Sequence, residues 1–300
     1  MYKTRILSEP ELASPKIKVA RFDRVRLELT SVLPLRLGLP IFSLAIIGLG
    51  IETLVCAHRV IFLYPQESNP RFPVIPVLPF LPPVPWLAYL FGAVLVLCGV
   101  GLLSKRAMRM SSTILGTLLF LSTLVLELPK YSAMPGNMSL RTVVFEPFVI
   151  AALAWLLPAA HAIPPFLERA SGYLLAVCFV VFGVDHFLAL APIGTLLPKW
   201  IPWHVFWIAL FGAGFIAAGL SVVLNILLPW GASCVGLMFA IWVFTLHLPR
   251  VLGLYGIPGA PHNPAEWSSL FIAIALWGGS WALAKSHSKA FIAHAQRQSS

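Results

Sequence analysis

The sequence predicts an all-α, polytopic membrane protein of about eight transmembrane helices, arranged as two parallel four-helix repeats with both termini cytosolic. Three observations carry that expectation: the composition, the length of the apolar stretches, and an internal repeat. Of 300 residues, 59% are hydrophobic and only 11% are charged, where a soluble chain is roughly a quarter charged. A soluble domain of this size cannot hide so much apolar surface, whereas a bilayer solvates the outer faces of its helices.

The apolar stretches are Leu37–Leu63, Trp86–Ser104, Ser112–Leu128, Val143–Leu157, Ser171–Leu190, Trp203–Asn225, Gly231–Leu248 and Trp267–Ala284. A helix needs about 20 residues to cross a hydrocarbon core. The fourth stretch is short, with Pro158 and Pro164 obscuring its end. A β-barrel would require shorter, alternating segments, and these are continuous. The first 33 residues are polar and basic, a cytosolic arm rather than the apolar region of a signal peptide. With the N-terminus inside, fifteen of the 21 Lys and Arg residues fall on the cytosolic side, and Arg59, Arg71, Lys130, Arg141, Lys199 and Arg250 fall outside. This bias sets the orientation and accounts for most of the net charge of +10. The segment Lys16–Arg26 suits anionic lipid; nucleic acid is not an expected partner. The resulting organisation is a basic cytosolic arm (1–35), a first four-helix repeat (36–160), a second (161–286) and a cytosolic tail (287–300).

The four cysteines, Cys56, Cys98, Cys178 and Cys234, all fall in the expected spans, with no C-x-x-C pair. They read as small packing residues, without sequence support for a dithiol or zinc centre.

The repeat is read by placing Phe91-Gly92-Ala93 over Phe211-Gly212-Ala213, 120 residues apart. Without a gap, Gly99 then falls on Gly219 and Gly116 on Gly236. Leu126, Leu128, Pro129 and Lys130 fall on Leu246, Leu248, Pro249 and Arg250, and Glu146 on Glu266. Glycines recurring in register mark close helix approaches. The first helices correspond at a different offset, Gly50-Ile51-Glu52 with Gly183-Val184-Asp185. The loop that follows is long in the first half, with eight prolines from Tyr64 to Pro85, and short in the second. An even number of helices per half gives both halves the same orientation, which argues against an inverted-repeat transporter.

The second half resembles the DoxX-like family of small four-helix membrane proteins. The resemblance rests on Phe182-Gly183-Val184-Asp185-His186-Phe187, Trp200-Ile201-Pro202, Phe211-Gly212-Ala213 with Gly219, Leu246-His247-Leu248-Pro249-Arg250, and Asn263-Pro264 to Glu266-Trp267. It covers residues 171–285 well and 37–160 more faintly. The duplication departs from the single unit usual in that family. The resemblance implies a role beside membrane redox systems, including quinone-linked sulfur oxidation, in a cell membrane of the bacterial inner-membrane kind.

Ionisable residues inside a membrane are costly and face a bundle interior or a wet cavity. In the second half, Asp185, His186, His204, His247, Arg250 and Glu266 come from all four helices at one outer level, which predicts an outward polar pocket. The first-half counterparts are Glu52, Glu127, Lys130 and Glu146, with Thr53 in place of His186 and Glu127 in place of His247. Any chemistry is therefore expected in the second half. A purely structural reading competes: Asp185 pairs with Arg250 to neutralise two charges, and Glu266 suits a helix start. A metal or haem held by His186 and His247 is a further alternative, although H-E-x-x-H and H-x-x-E-H are absent. Trp200, Trp203, Trp207 and Trp267 read as an interfacial belt. Asn137-Met138-Ser139 matches a glycosylation sequon.

Three functions follow as expectations. The first is a quinone- or redox-associated membrane subunit, with no resident cofactor evident and a catalytic partner supplying one. The second is a small-solute transporter or channel, disfavoured because the charges cluster outward. The third is a non-catalytic partner or assembly protein, docking a membrane or extracytoplasmic protein through its Pro-rich loop and basic arm. No catalytic motif is present.

Overall fold

The structure is a computed structural model, and it describes residues 35–56, 85–157, 164–224, 226–255 and 262–299. All regular structure among them is helical, with no strand. The basic arm, the Pro-rich loop through Val84, Arg59 and Arg71 lie outside the described residues.

A short 3-10 turn at Leu35–Leu37 leads into α1 (Gly38–Val55), which is apolar apart from Ser43 until Glu52. Helix α2 (Pro85–Leu102) starts on a proline, where the missing N–H costs nothing. Helix α3 (Met108–Ser122) widens into a π-helical turn at Thr123–Glu127 and continues as α4 (Leu128–Ala133). Helix α5 (Met138–Leu156) follows, and α6 (Pro165–Leu188) opens the second half. A five-residue helix α7 (Leu190–Gly194) precedes α8 (His204–Val223). Helix α9 (Leu228–Trp242) widens into a π turn at Val243–His247 and continues as α10 (Leu248–Val251). Helix α11 (Pro264–Ser299) is 36 residues long. The expected tail at 287–300 is therefore helical through Ser299, a smooth continuation of the last span.

Both π turns have the same cause. Pro129 and Pro249 lack an N–H, and their rings crowd the carbonyl four residues back. The helix relaxes by one residue, so Leu128 N–H bonds Thr123 O and Leu248 N–H bonds Val243 O. In the second half, the carbonyl that Pro249 cannot serve, Thr245 O, accepts from the Tyr255 hydroxyl at 2.5 Å. The sequon residue Asn137 caps α5, its side chain accepting from Leu140 N–H at 3.0 Å. Asn137→Ala is expected to cost about 1 kcal/mol, and Asn137→Asp to keep most of it; unfolding in mixed micelles checks both.

Six described helices are long and apolar enough to cross a membrane: Leu35–Val55, Met108–Glu127, Pro165–Leu188, His204–Val223, Leu228–Val251 and Ala265–His287. Trp86–Leu102 is apolar but shorter. The chain is a multi-pass, helical membrane protein. Its outer faces carry exposed Leu44, Leu97, Val177, Leu220 and Phe244, as lipid contact requires.

The helices pack as a closed ring in the order α1, α2, α3, α5, α6, α8, α9, α11, with α11 returning to α1. Helices α5 and α11 also touch each other across the middle. They form the core: every residue from Val149 to Leu157 is buried, as are Leu276 and Trp281 to Ala284. Cys98 and Cys178 are buried among these side chains, Cys234 is exposed, and all four cysteines are free.

The same close contacts occur in both halves. A Cβ on Gly50 would lie 2.7 Å from Gly92 O, and one on Gly183 would lie 2.6 Å from Gly212 O. Gly99 abuts Ser43 and Ile47, while Gly219 abuts Ala176 and Val180. First helices thus match 133 residues apart and second helices 120 apart. The fourth helices follow another register. Trp155 covers Gly116 and Trp281 covers Gly236, and Asn137 and Asn263 both accept N–H bonds at their helix starts, each pair 126 residues apart. Glu146 therefore falls on Ile272 and not on Glu266. The connection from third to fourth helix is six residues longer in the second half (Pro249 to Asn263 against Pro129 to Asn137), and the ungapped comparison slips across it.

Candidate functional site

The first-helix acids come to the same end of the bundle as the starts of the fourth helices. Each one meets the fourth helix of the other half. Asp185 on α6 takes a two-pronged ion pair from Arg141 on α5, with Nε 3.1 Å from Oδ2 and Nη2 on Oδ1. Glu52 on α1 accepts from Ser268 Oγ on α11 at 2.6 Å. The expected Asp185–Arg250 pair does not form. Arg250 instead pairs with Glu266, at 2.7 Å from Nε and 2.5 Å from Nη2. Helix α6 lies against α5, so the nearest guanidinium comes from the first half.

Asp185 and His186 are each only 6% exposed. They belong to the wall of a cavity of about 890 Å³ enclosed by α5 to α9 and the start of α11. Aromatic rings of Phe182, Trp207, Phe211, Phe215, Phe239 and Trp242 stand among the aliphatic side chains of its wall. His186 stacks on Trp242, ring centroids 5.3 Å apart and 26° between planes, and meets Phe215 at 5.3 Å. Gly212 makes room for this, since a Cβ there would lie 2.9 Å from the Cβ of His186. His186 Nδ1 donates to Phe182 O at 2.7 Å. Its Nε2 is buried with no hydrogen-bond partner. In the first half, Thr53 makes the matching bond, Oγ1 donating to Leu49 O at 2.7 Å.

The structure brings together only part of the expected cluster. Asp185 and His186 line the cavity, and Glu146, assigned from sequence to the first half's own set, joins them there. Both halves thus build the site, through Met138, Thr142, Val143 and Glu146 of α5. His247, Arg250, Glu266 and His204 are not in its wall. His247 is half-buried, with its Nδ1 buried and unpartnered, and it does not line the cavity with His186. His204 Nε2 donates to Pro198 O at 3.1 Å and holds the turn into α8. Glu127 is buried at the end of the first π turn. Glu52 lines a separate groove of about 340 Å³ with His262, Trp267 and Phe271. Lys130 lies on α4, its side chain outside the described part. Trp200 and Trp207 line the cavity as well as flanking its exposed rim, while Trp203 is 79% exposed.

Arg141 was missed in the sequence as a site residue. A carboxylate inside an apolar helix demands a cation, but the sequence puts Lys130, Arg141, Lys199 and Arg250 all at its level, and only the helix order selects among them. The site as built offers flat apolar walls and a few hydrogen-bonding groups, the usual make-up of a small-molecule pocket. No family model, curated protein or solved structure matches the chain.

Proposed function

We propose that this chain is a DoxX-like, redox-associated membrane protein that binds a quinone-type headgroup in the cavity between α5 and α6 to α9. In this reading it has eight spans as two parallel four-helix repeats, both termini are cytosolic, the cavity opens outward, and the location is a bacterial inner membrane. Chemistry is supplied by a membrane or extracytoplasmic partner. The observation that carries the reading is the cavity itself: about 890 Å³, with aromatic rings, Asp185 and His186 in its wall. A planar ring slides between aromatic faces at favourable distances. The matching glycine contacts and paired π turns support the duplication. Against a through-path for solute speaks the packed core of α5, buried from Val149 to Leu157.

The test is ligand-induced thermal stabilisation of the detergent-purified chain by a panel of alkyl quinones. Wild type is expected to be stabilised, His186→Ala to lose most of the shift, and His247→Ala, outside the cavity wall, to retain it. A wild type that no quinone stabilises contradicts the proposal.

A further inference from the structure

The seam between α8 and α9 changes character along its length. At the end of α8 and the start of α9 the helices meet through small residues. A Cβ on Gly231 would lie 3.3 Å from Ala218 Cα, and one on Gly214 would lie 3.0 Å from Met238 Sδ. Small residues let two backbones approach closely. Toward the start of α8 the partners are large, Phe211 against Trp242 with ring centroids 5.9 Å apart, and they hold the helices apart. At this wide part Trp207 on α8 and Ile241 on α9 both line the cavity, yet they are 36% and 40% exposed. Leu210 and Leu237, one turn along from each on the same flank, are exposed as well. By contrast, the residues that α6 gives to the wall, Phe182, Asp185, His186 and Ala189, are all buried. Both seam helices belong to segments long and apolar enough to cross a membrane, so the outer side of the seam meets lipid. The connection after α7 also reaches the surface, at Trp200 and Pro202. Its Leu196, Leu197, Pro198 and Ile201 are buried or half-buried against the cavity, and the bond from His204 to Pro198 O ties it down.

We infer that the cavity opens sideways into the bilayer between α8 and α9, and so takes a ligand that carries an aliphatic chain. The ring lies inside, and the chain leaves past Trp207 and Ile241 into lipid. The inference rests on the reading of the cavity as a quinone-type site and adds the route of entry and the chain. A ligand arriving this way dissolves first in the bilayer, and each methylene of a chain strengthens that partition about fourfold.

The experiment photolabels the full-length protein in phosphatidylcholine nanodiscs with a decyl benzoquinone that carries a diazirine at the far end of its chain. Labelled peptides are mapped by mass spectrometry, with and without excess unlabelled decyl benzoquinone. Label that the competitor removes is expected on the lipid flank of the seam, at Leu210 of α8 and at Leu237 or Ile241 of α9. Competed label on the connection 192–202 would show entry from the end of the bundle and overturns the inference. Competed label beside other helices, as at Leu97 or Val177, or only on inner cavity residues such as Phe215, overturns it too. A benzoquinone with an azide on its ring, run alongside, separates the two ways of failing. If it labels the cavity in a competed manner while no chain-end label is competed, the sideways opening falls and the quinone-site reading stands. If neither probe gives competed label, the quinone-site reading falls and takes the inference with it.

Discussion

Replacing Arg141 by alanine is expected to destabilise the fold by about 3–5 kcal/mol, the loss typical of breaking a buried ion pair from one side. The guanidinium and carboxylate side chains are 20% and 8% exposed, so Asp185 has little water to turn to. Arg141→Lys is expected to recover only part of the loss, because an ammonium cannot reproduce the two-pronged geometry. The double variant Arg141→Met with Asp185→Leu removes both charges and is expected to regain most of the stability. Unfolding in mixed micelles measures all three. A neutral Arg141→Ala would mean that Asp185 has another partner or is not charged. The double variant also separates structure from function: a stable protein that still binds ligand would confine the role of the pair to joining the halves.

Gly183→Leu is the second large effect. A Cβ at Gly183 would sit 2.6 Å from Gly212 O and 2.5 Å from Ile216 Cγ1. A backbone oxygen cannot turn aside as a side chain does, so α6 and α8 must separate. Overpacking usually costs about 1–3 kcal/mol and more when backbone must move, and the upper end or beyond is expected here. Gly172→Ala on the same helix is the control, since its Cβ would meet only Val222 Cγ1 at 3.8 Å. Similar losses for both would show that the α6–α8 crossing is looser than described. Because Gly212 also seats His186, the Gly183 variant is expected to weaken ligand binding together with stability.

What the sequence made legible follows from what short-range chemistry determines. Apolar length located the helices, and glycines in register located crossings that the structure realises as Gly50 on Gly92 and Gly183 on Gly212. Asp185 and His186 were identifiable because a charge inside an apolar helix needs a reason. The remainder depends on helix order around the ring. That order puts α5 of the first half against α6 of the second, which gives Asp185 the partner Arg141 and brings Glu146 into the cavity wall. Arg250, three residues past His247 in sequence, looked equally available, yet the return of α11 hands it to Glu266. The fourth-helix register was lost for a smaller reason, a connection of different length between otherwise matching helices.

The central claim is that a quinone-type ring occupies the cavity that Asp185 and His186 help to wall. Photocrosslinking tests it most directly, with an azidoquinone applied to membranes containing the full-length protein and the labelled peptides mapped by mass spectrometry. The account predicts labels on cavity residues such as Phe182, Phe211 and Trp242, competed away by unlabelled alkyl quinone. Labels confined to lipid-facing residues such as Leu97, Val177 and Phe244, indifferent to competitor, would contradict it.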